Sequence, residues 1–205
     1  MGRGAGPLGH AASPRVGVVI PAGGTARRLD GADKPALDVG GVSILARLVA
    51  ELDPFRVVVV GPPPPGSLPT RAGVVWCREE PPGGGPAAAL AAGVRQFPDA
   101  DVIIAVAGDQ PFAATAVPRL ISALMGDETI DAALGIDGDG REQPLLAAYR
   151  AAALRGRLEG PVDGLSMRTV TAGLRVIGVP LTGPESVDVD DQADLAAARN
   201  LTTAH

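Results

Sequence analysis

Paired glycines, a short run of cations and two widely separated carboxylates are the chemistry-bearing features of this 205-residue chain. An apolar run ending at Pro21 leads directly into Ala22-Gly23-Gly24-Thr25, and Arg27, Arg28 and Lys34 follow closely. Glycines let the backbone approach an anion and aim N–H groups at it. The three cations sit in an otherwise acidic chain and would supply charge for a phosphate. The segment is neither a Walker loop nor a dinucleotide fingerprint, because no Gly-Lys-Ser/Thr closes it and G-x-G-x-x-G is absent. A glycine turn with solvated arginines is the plain alternative. Asp109, in Gly108-Asp109-Gln110-Pro111, follows another apolar run, and Asp190 lies in Asp188-Val189-Asp190-Asp191. An Asp placed directly after an apolar strand projects at the ligand edge of a sheet. Each also has a structural reading: Asp109 as an Asp-x-Pro turn and Asp190 as one more carboxylate at a helix start. Asp191 reads as the cap of that helix. Asp137-Gly138-Asp139-Gly140 resembles the start of a calcium loop, but Ala148 stands where the closing acidic residue belongs, so it reads as a turn.

Several chemistries are excluded. The only histidines, His10 and His205, stand near the two ends of the sequence, and Cys77 is the sole cysteine. A Ser-His-Asp triad, a Cys-His dyad, a multi-thiolate metal site and an intrachain disulfide therefore drop out. The lone cysteine is compatible with a reducing cytoplasm. Eighteen basic residues against 23 acidic ones leave a net charge of −5, the wrong sign for coating nucleic acid. No apolar run approaches the roughly 18 residues of a membrane span. Met1–Pro14 lacks the apolar core of a secretory signal, and residues 1–14 are expected to form a flexible tail ahead of one domain over 15–205.

These residues need elements to position them. Val16–Pro21, Arg56–Val60, Val74–Cys77 and Asp101–Ala107 are compact apolar runs of the kind buried on both faces of a parallel sheet. Ser43–Leu52, with Ser43 as N-cap, and Ala87–Phe97 are predicted helices between them. Ala114–Met125 follows as a helix with Pro118 in an early turn. Strands are then predicted over Ile130–Ile136, Pro144–Tyr149 and Leu174–Val179, and helices over Ala151–Glu159 and Gln192–Asn200. The alternation predicts an α/β domain with a mainly parallel sheet. Ligands of such sheets bind beyond the carboxyl ends of the strands, which is where Gly23, Gly108 and Asp109 fall.

In register, Ala22-Gly23-Gly24, Arg28, Leu29, Gly31, Asp33 and Lys34 resemble the signature loop of the molybdenum cofactor guanylyltransferases and their nucleotidyltransferase relatives. Asp30 and Pro21 replace the glycine and leucine usual there. Gly83-Gly84-Gly85-Pro86 resembles the family's Gly-Pro loop, Gly108–Phe112 its metal-binding step, Gln143–Tyr149 a later strand, and Val187–Leu195 the polar segment before the last helix. The resemblance runs from Val16 to Asn200. It implies a single-domain, Rossmann-like nucleotidyltransferase fold (GT-A-like), α/β, with a mainly parallel mixed sheet flanked by helices. It implies transfer of GMP from GTP to the phosphate of molybdopterin, with pyrophosphate released, in the cytoplasm, in contact with molybdenum-cofactor assembly proteins.

Mg²⁺ would sit on Asp109 and Asp190. Lys34, Arg28 and Asp109 would carry catalysis. Pro21, Ala22, Gly23, Gly24, Thr25, Lys34, Glu79, Gly85 and Asp109 would hold the nucleotide. The ungapped match puts Arg78 at the family's acidic base-reading position; the adjacent Glu79 is the candidate that accepts from guanine. Lys34 is expected to be exposed, and Asp109 to stand unpaired in an empty site. Arg155, Arg157 and Arg168 either face the pterin or are surface charges. Cytidylyl transfer to molybdopterin, guanylyl transfer to 2-phospholactate and a catalytically silent nucleotide-binding module remain as alternatives.

Overall fold

Short runs of β-branched and small apolar residues become the strands of one sheet. The computed structural model describes residues 13–23, 34–62 and 73–203. Its strands are β1 (Val16–Pro21), β2 (Arg56–Val60), β3 (Val74–Cys77), β4 (Val102–Val106), β5 (Ala132–Ile136), β6 (Glu142–Arg150) and β7 (Val176–Pro180). They pair in the order β3-β2-β1-β4-β6-β5-β7. β6 runs antiparallel to β4 and β5, and every other pairing is parallel. The helices are α1 (Ile44–Glu51), α2 (Gly85–Val94), α3 (Val117–Met125), α4 (Ala151–Arg157), α5 (Met167–Thr171) and α6 (Gln192–Thr203). None is long and apolar enough to cross a membrane.

The strand period of two divides the core in two. Val18, Ile20, Val57, Val59, Ile104 and Val106 face one layer, which contains residues of α1, α3 and α6. Val19, Val58, Val60, Ile103 and Ala105 face the other, with residues of α2, α4 and α5. Both faces are covered, which is why β1, β2 and β4 are apolar without alternation. α2 is built of small residues and is buried from Ala87 to Val94. At Gly93 an added Cβ would lie 2.3 Å from Val19 Cγ1, so the helix rests directly on β1.

Expected and observed elements differ in a few places. α1 begins after Ser43, whose Oγ accepts from the Ala46 N–H at 3.2 Å. The helix expected over Ala87–Phe97 starts instead at Gly85, with Pro86 in its first turn, where proline's missing N–H costs nothing. The helix expected over Ala114–Met125 divides into a 3₁₀ turn, Ala113–Ala116, and α3, because Pro118 belongs in a first turn and not in a helix interior. α5 was not expected: it is a single turn, capped where Ser166 Oγ accepts from the Thr169 N–H at 3.1 Å. The Asp137–Gly140 turn is as expected, with Asp137 Oδ1 accepting from the N–H groups of Asp139 and Arg141, each at 2.9 Å.

After β7 the chain is pinned by one buried carboxylate. Glu185 is 3% exposed. Arg119 donates to it twice, at 3.0 and 2.6 Å, Thr115 Oγ1 at 3.1 Å and the Thr182 N–H at 2.7 Å. Burial pushes the Glu185 carboxyl up, but these donors outweigh it and hold it down at about 2. The pin fixes the turn Gly183–Ser186, from which the chain runs into Asp188–Asp191.

Two outcomes follow. Gly93→Ala improves helix propensity by about 0.5–1 kcal/mol, but the overpacking against Val19 costs about 1–3 kcal/mol. The variant should therefore melt below wild type in a circular-dichroism scan. The Glu185 group, depressed on folding, contributes stability that is present above its ordinary value near 4.5 and lost as the pH falls toward 2. Glu185→Gln should lower stability by about 1–3 kcal/mol at neutral pH. Its denaturant midpoint should also fall less steeply than wild type between pH 4.5 and 2.

Candidate active site at the carboxyl edge of the sheet

The carboxyl ends of the central strands are laced together by backbone. The Ala22 N–H donates to Val60 O at 2.8 Å, Gly61 N–H to Cys77 O at 3.0 Å, Gly108 N–H to Pro21 O at 3.0 Å and Ala107 N–H to Leu145 O at 2.7 Å. At Gly108 a Cβ would lie 3.0 Å from Pro21 O and 3.1 Å from Ala22 Cα. A side chain there would be crowded, and the end of β1 would have to give by a few tenths of an ångström. The absence of a side chain at residue 108 thus lets the loop bearing Asp109 lie close against the end of β1.

Lys34 re-enters this edge on the 3₁₀ turn Lys34–Ala36. Its ammonium donates to Asp109 Oδ2 at 3.2 Å and also to Asp190 Oδ1. Burial alone would lower its pKa, but the two carboxylates more than offset this and hold it above its ordinary value, so the charge is secure at neutral pH. Both carboxylates are anchored through their backbones. The Val189 N–H donates to Asp109 O at 3.0 Å. Asp194 Oδ2 accepts from the N–H groups of Asp190 and Asp191, each at 3.0 Å. The cap of α6 is Asp191, whose Oδ1 accepts from Ala193 and Asp194. Asp190 is therefore left to face Lys34. Beside them Asp188 has its carboxyl pushed up, first by burial and then by the charges of Asp190, Asp109 and Asp194.

Two expectations are corrected here. The Lys34 side chain is 17% exposed, not an open surface lysine, and Asp109 is paired with it. Long-range partners that local sequence does not display bury the lysine.

Near Gly23 stands Glu79. Its Oε1 accepts from the Gly83 N–H at 3.1 Å and lies 3.9 Å from where a Gly23 Cβ would be. Its Oε2 is buried and has no partner. Gly85 opens α2 with φ +87°, and the neighbouring turn is backed by the Gly164 N–H, which donates to Gly84 O at 2.9 Å. Pro21, Ala22, Gly23, Lys34, Glu79, Gly85, Asp109 and Asp190 thus all belong to loops and strand ends at this edge. Gly24, Thr25 and Arg28 lie outside the described residues.

The basic residues considered for the pterin side separate. Arg155 donates to the carbonyls of Phe97 and Ala100 at 2.6 and 3.3 Å, and Arg157 to those of Val170 and Thr169 at 3.1 and 3.0 Å. Both are committed to tying the backbone. Arg168 is exposed on α5. Sequence reasoning missed the Glu185 pin, although Thr182-Gly183-Pro184-Glu185 carries the capping-box spacing that would have flagged it. It also missed Asp163, whose Oδ1 lies 2.6 Å from the Cβ position of Gly84; no local signal marks that contact. Gln143, at the start of β6, is held by Asp137 through Nε2–H···Oδ2 at 2.9 Å.

The donor set fits a hard divalent cation. Asp109 and Asp190 offer carboxylate oxygens that already converge on one cationic group, the Lys34 ammonium. Among the described residues no group of three or more potential protein ligands gathers at one point. Two carboxylates, completed by water and substrate phosphates, are the usual protein share for Mg²⁺.

Comparison with known proteins agrees with this fold. The molybdopterin-guanine dinucleotide biosynthesis protein A of Archaeoglobus fulgidus superposes with a TM-score of 0.72 at 20% identity, covering 92% of this chain and 100% of that one. The 2-C-methyl-D-erythritol 4-phosphate cytidylyltransferase of Thermus thermophilus superposes with a TM-score of 0.67 at 22% identity, covering 91% and 98%. In sequence, the 2-C-methyl-D-erythritol 4-phosphate cytidylyltransferase of Deinococcus radiodurans is 44% identical over 68 residues. That match spans only 31% of this chain and 29% of that relative. Residues 18–174 match the family model described as the MobA-like NTP transferase domain, so the chain belongs to that family and is a nucleotidyltransferase.

Proposed function

We propose that this protein transfers GMP from GTP to the phosphate of molybdopterin and releases pyrophosphate, with Mg²⁺ held by Asp109 and Asp190. The observation that carries the reading is the convergence of Lys34, Asp109 and Asp190 at the carboxyl edge of the sheet, where Gly108 meets the end of β1. An acceptor phosphate is already anionic near neutral pH, so a site whose described residues include no histidine suits the reaction. What it needs is charge neutralisation and in-line placement. In this reading Gly23 and its neighbouring amides, with Lys34 and Arg28, take the β- and γ-phosphates and offset the charge on departing pyrophosphate. When bound, Mg²⁺ would polarise the α-phosphate and orient it. Glu79 supports the choice of guanine: a buried carboxylate oxygen without a partner recovers its lost hydrogen bond when it meets the N1–H and N2 amino donors. Contacts with molybdenum-cofactor assembly proteins belong to the same reading.

The identity with a relative named as a cytidylyltransferase favours a second reading in which CTP is the donor, since cytosine also offers an exocyclic amino group. A thermal-shift comparison of GTP, CTP, ATP and UTP with Mg²⁺ decides between them. GTP at about 100 times its dissociation constant should add roughly 2.7 kcal/mol, more than the other three. A larger shift with CTP selects the second reading, and no shift with any nucleotide indicates a silent module. Glu79→Gln should weaken GTP about 10–100-fold, the loss of one charged hydrogen bond, while leaving ATP unchanged. Asp109→Asn should reduce pyrophosphate release with molybdopterin by about 10²-fold or more. Turnover near wild type would remove Asp109 from the proposed machinery.

A further inference from the structure

Lys34 is the only lysine in the chain; every other cationic side chain is arginine. Its ammonium occupies Asp109 Oδ2 and Asp190 Oδ1, two of the oxygens through which a divalent cation would be held. Cations that share one carboxylate pair repel in proportion to their charges. The ammonium and a bridging metal ion therefore exclude each other from this position.

The surroundings allow the ammonium to leave without dismantling the site. The lysine's backbone is fixed: its carbonyl accepts from the Leu37 N–H at 3.0 Å, and Pro35 is buried. The four-carbon stem carries a compact charge that can be re-aimed from that pivot, whereas an arginine fork would grip the carboxylates bidentately. The carboxylates are held by their own backbones through Val189 and Asp194, so they remain in place when the ammonium goes. Asp190 is 50% exposed on its side chain, which leaves the pair open to a cation from solvent. The charges of Asp188 and Asp194 also act on this neighbourhood, so departure of the ammonium leaves it net negative.

We propose that Lys34 is a tethered counter-ion with two stations: the Asp109–Asp190 pair when no nucleotide is bound, and the incoming phosphates when one is. This rests on the nucleotidyltransferase site described above. Lys34 thereby keeps the free protein from taking up a divalent cation and makes metal and triphosphate bind together. Each ligand then raises the affinity for the other by the same factor.

Mn²⁺ binding, read by electron paramagnetic resonance of the free ion, tests this on the full chain. The measurement compares wild type with Lys34→Met, each with and without a GTP analogue bearing an α,β-methylene bridge. Without nucleotide, Lys34→Met should bind Mn²⁺ more tightly than wild type, within the roughly 5–150-fold range of coupled sites. With the analogue present, the gain should shrink, because only wild type supplies the relocated ammonium. Equal Mn²⁺ affinities without nucleotide overturn the proposal. So does a gain that is unchanged by the analogue, since that is bare removal of a charge.

If Lys34→Met fails to fold, wild type labelled with ¹³C at lysine Cε carries a single reporter. Mg²⁺ alone should leave its resonance unmoved, and Mg²⁺ with the analogue should shift it. A shift with Mg²⁺ alone, or none with both when the analogue is bound, overturns the proposal. Failure of any nucleotide to bind would instead remove the functional reading, while the Mn²⁺ affinities of the free proteins still decide whether Lys34 occupies the metal position.

Discussion

The Lys34 ammonium lies between carboxylates that reach it from separate parts of the chain, Asp109 from the loop after β4 and Asp190 from the segment before α6. A triad of charges at this depth holds together only if the backbones that carry it are fixed first, because mobile side chains would spend their attraction on lost rotamer freedom. Each strut of the site meets that need. Gly108 lets the β4 loop lie on the end of β1. The Val189 N–H ties the Asp190 segment to Asp109 O, and the buried Glu185 carboxylate fixes the turn through which that segment must pass. Glu185 is remote in role from the chemistry, yet its donors set where Asp190 starts.

What was legible in the sequence followed from burial on two faces. β1, β2 and β3 were readable to their end residues because each is an apolar run bounded by charge, proline or glycine. α1 was readable from Ser43, whose side chain satisfies an otherwise unpaired N–H. α5 was not, because five residues with one capping serine carry no period to detect. Nor was the antiparallel course of β6, since its direction depends on pairing with β4 and β5 and not on its own residues. Within the site, the family resemblance pointed to Lys34, Asp109 and Asp190, but their mutual contact is a long-range fact. The expected surface lysine and unpaired aspartate are the same error seen from two ends.

Glu79 shows how register and geometry divide the work. An ungapped match aligns Arg78 with an acidic position, and only the observed turn decides which neighbour faces the glycines. Arg78 is exposed, whereas Glu79 receives the Gly83 N–H and turns its second oxygen inward. A strand end followed by a tight turn can shift which side chain points inward by one residue, and alignment alone does not see that shift.

Family membership covers nucleotidyl transfer in general, a reaction in which gathering phosphate charge asks for amides, cations and carboxylates whatever the base. Choice of base asks for something different. A site that hydrogen-bonds its substrate rejects an analogue lacking the partner group by leaving a buried polar atom unpaired, an effect that can reach about 10⁴–10⁵. The Glu79 Oε2 atom is unpaired already in the free protein, so part of that cost is carried before any nucleotide arrives. A base with donors at that point relieves it; a base without them leaves it in place. In the proposed reading, discrimination would come from this one oxygen near Gly23, while the charges gathered at Lys34, Asp109 and Asp190 would be indifferent to the base.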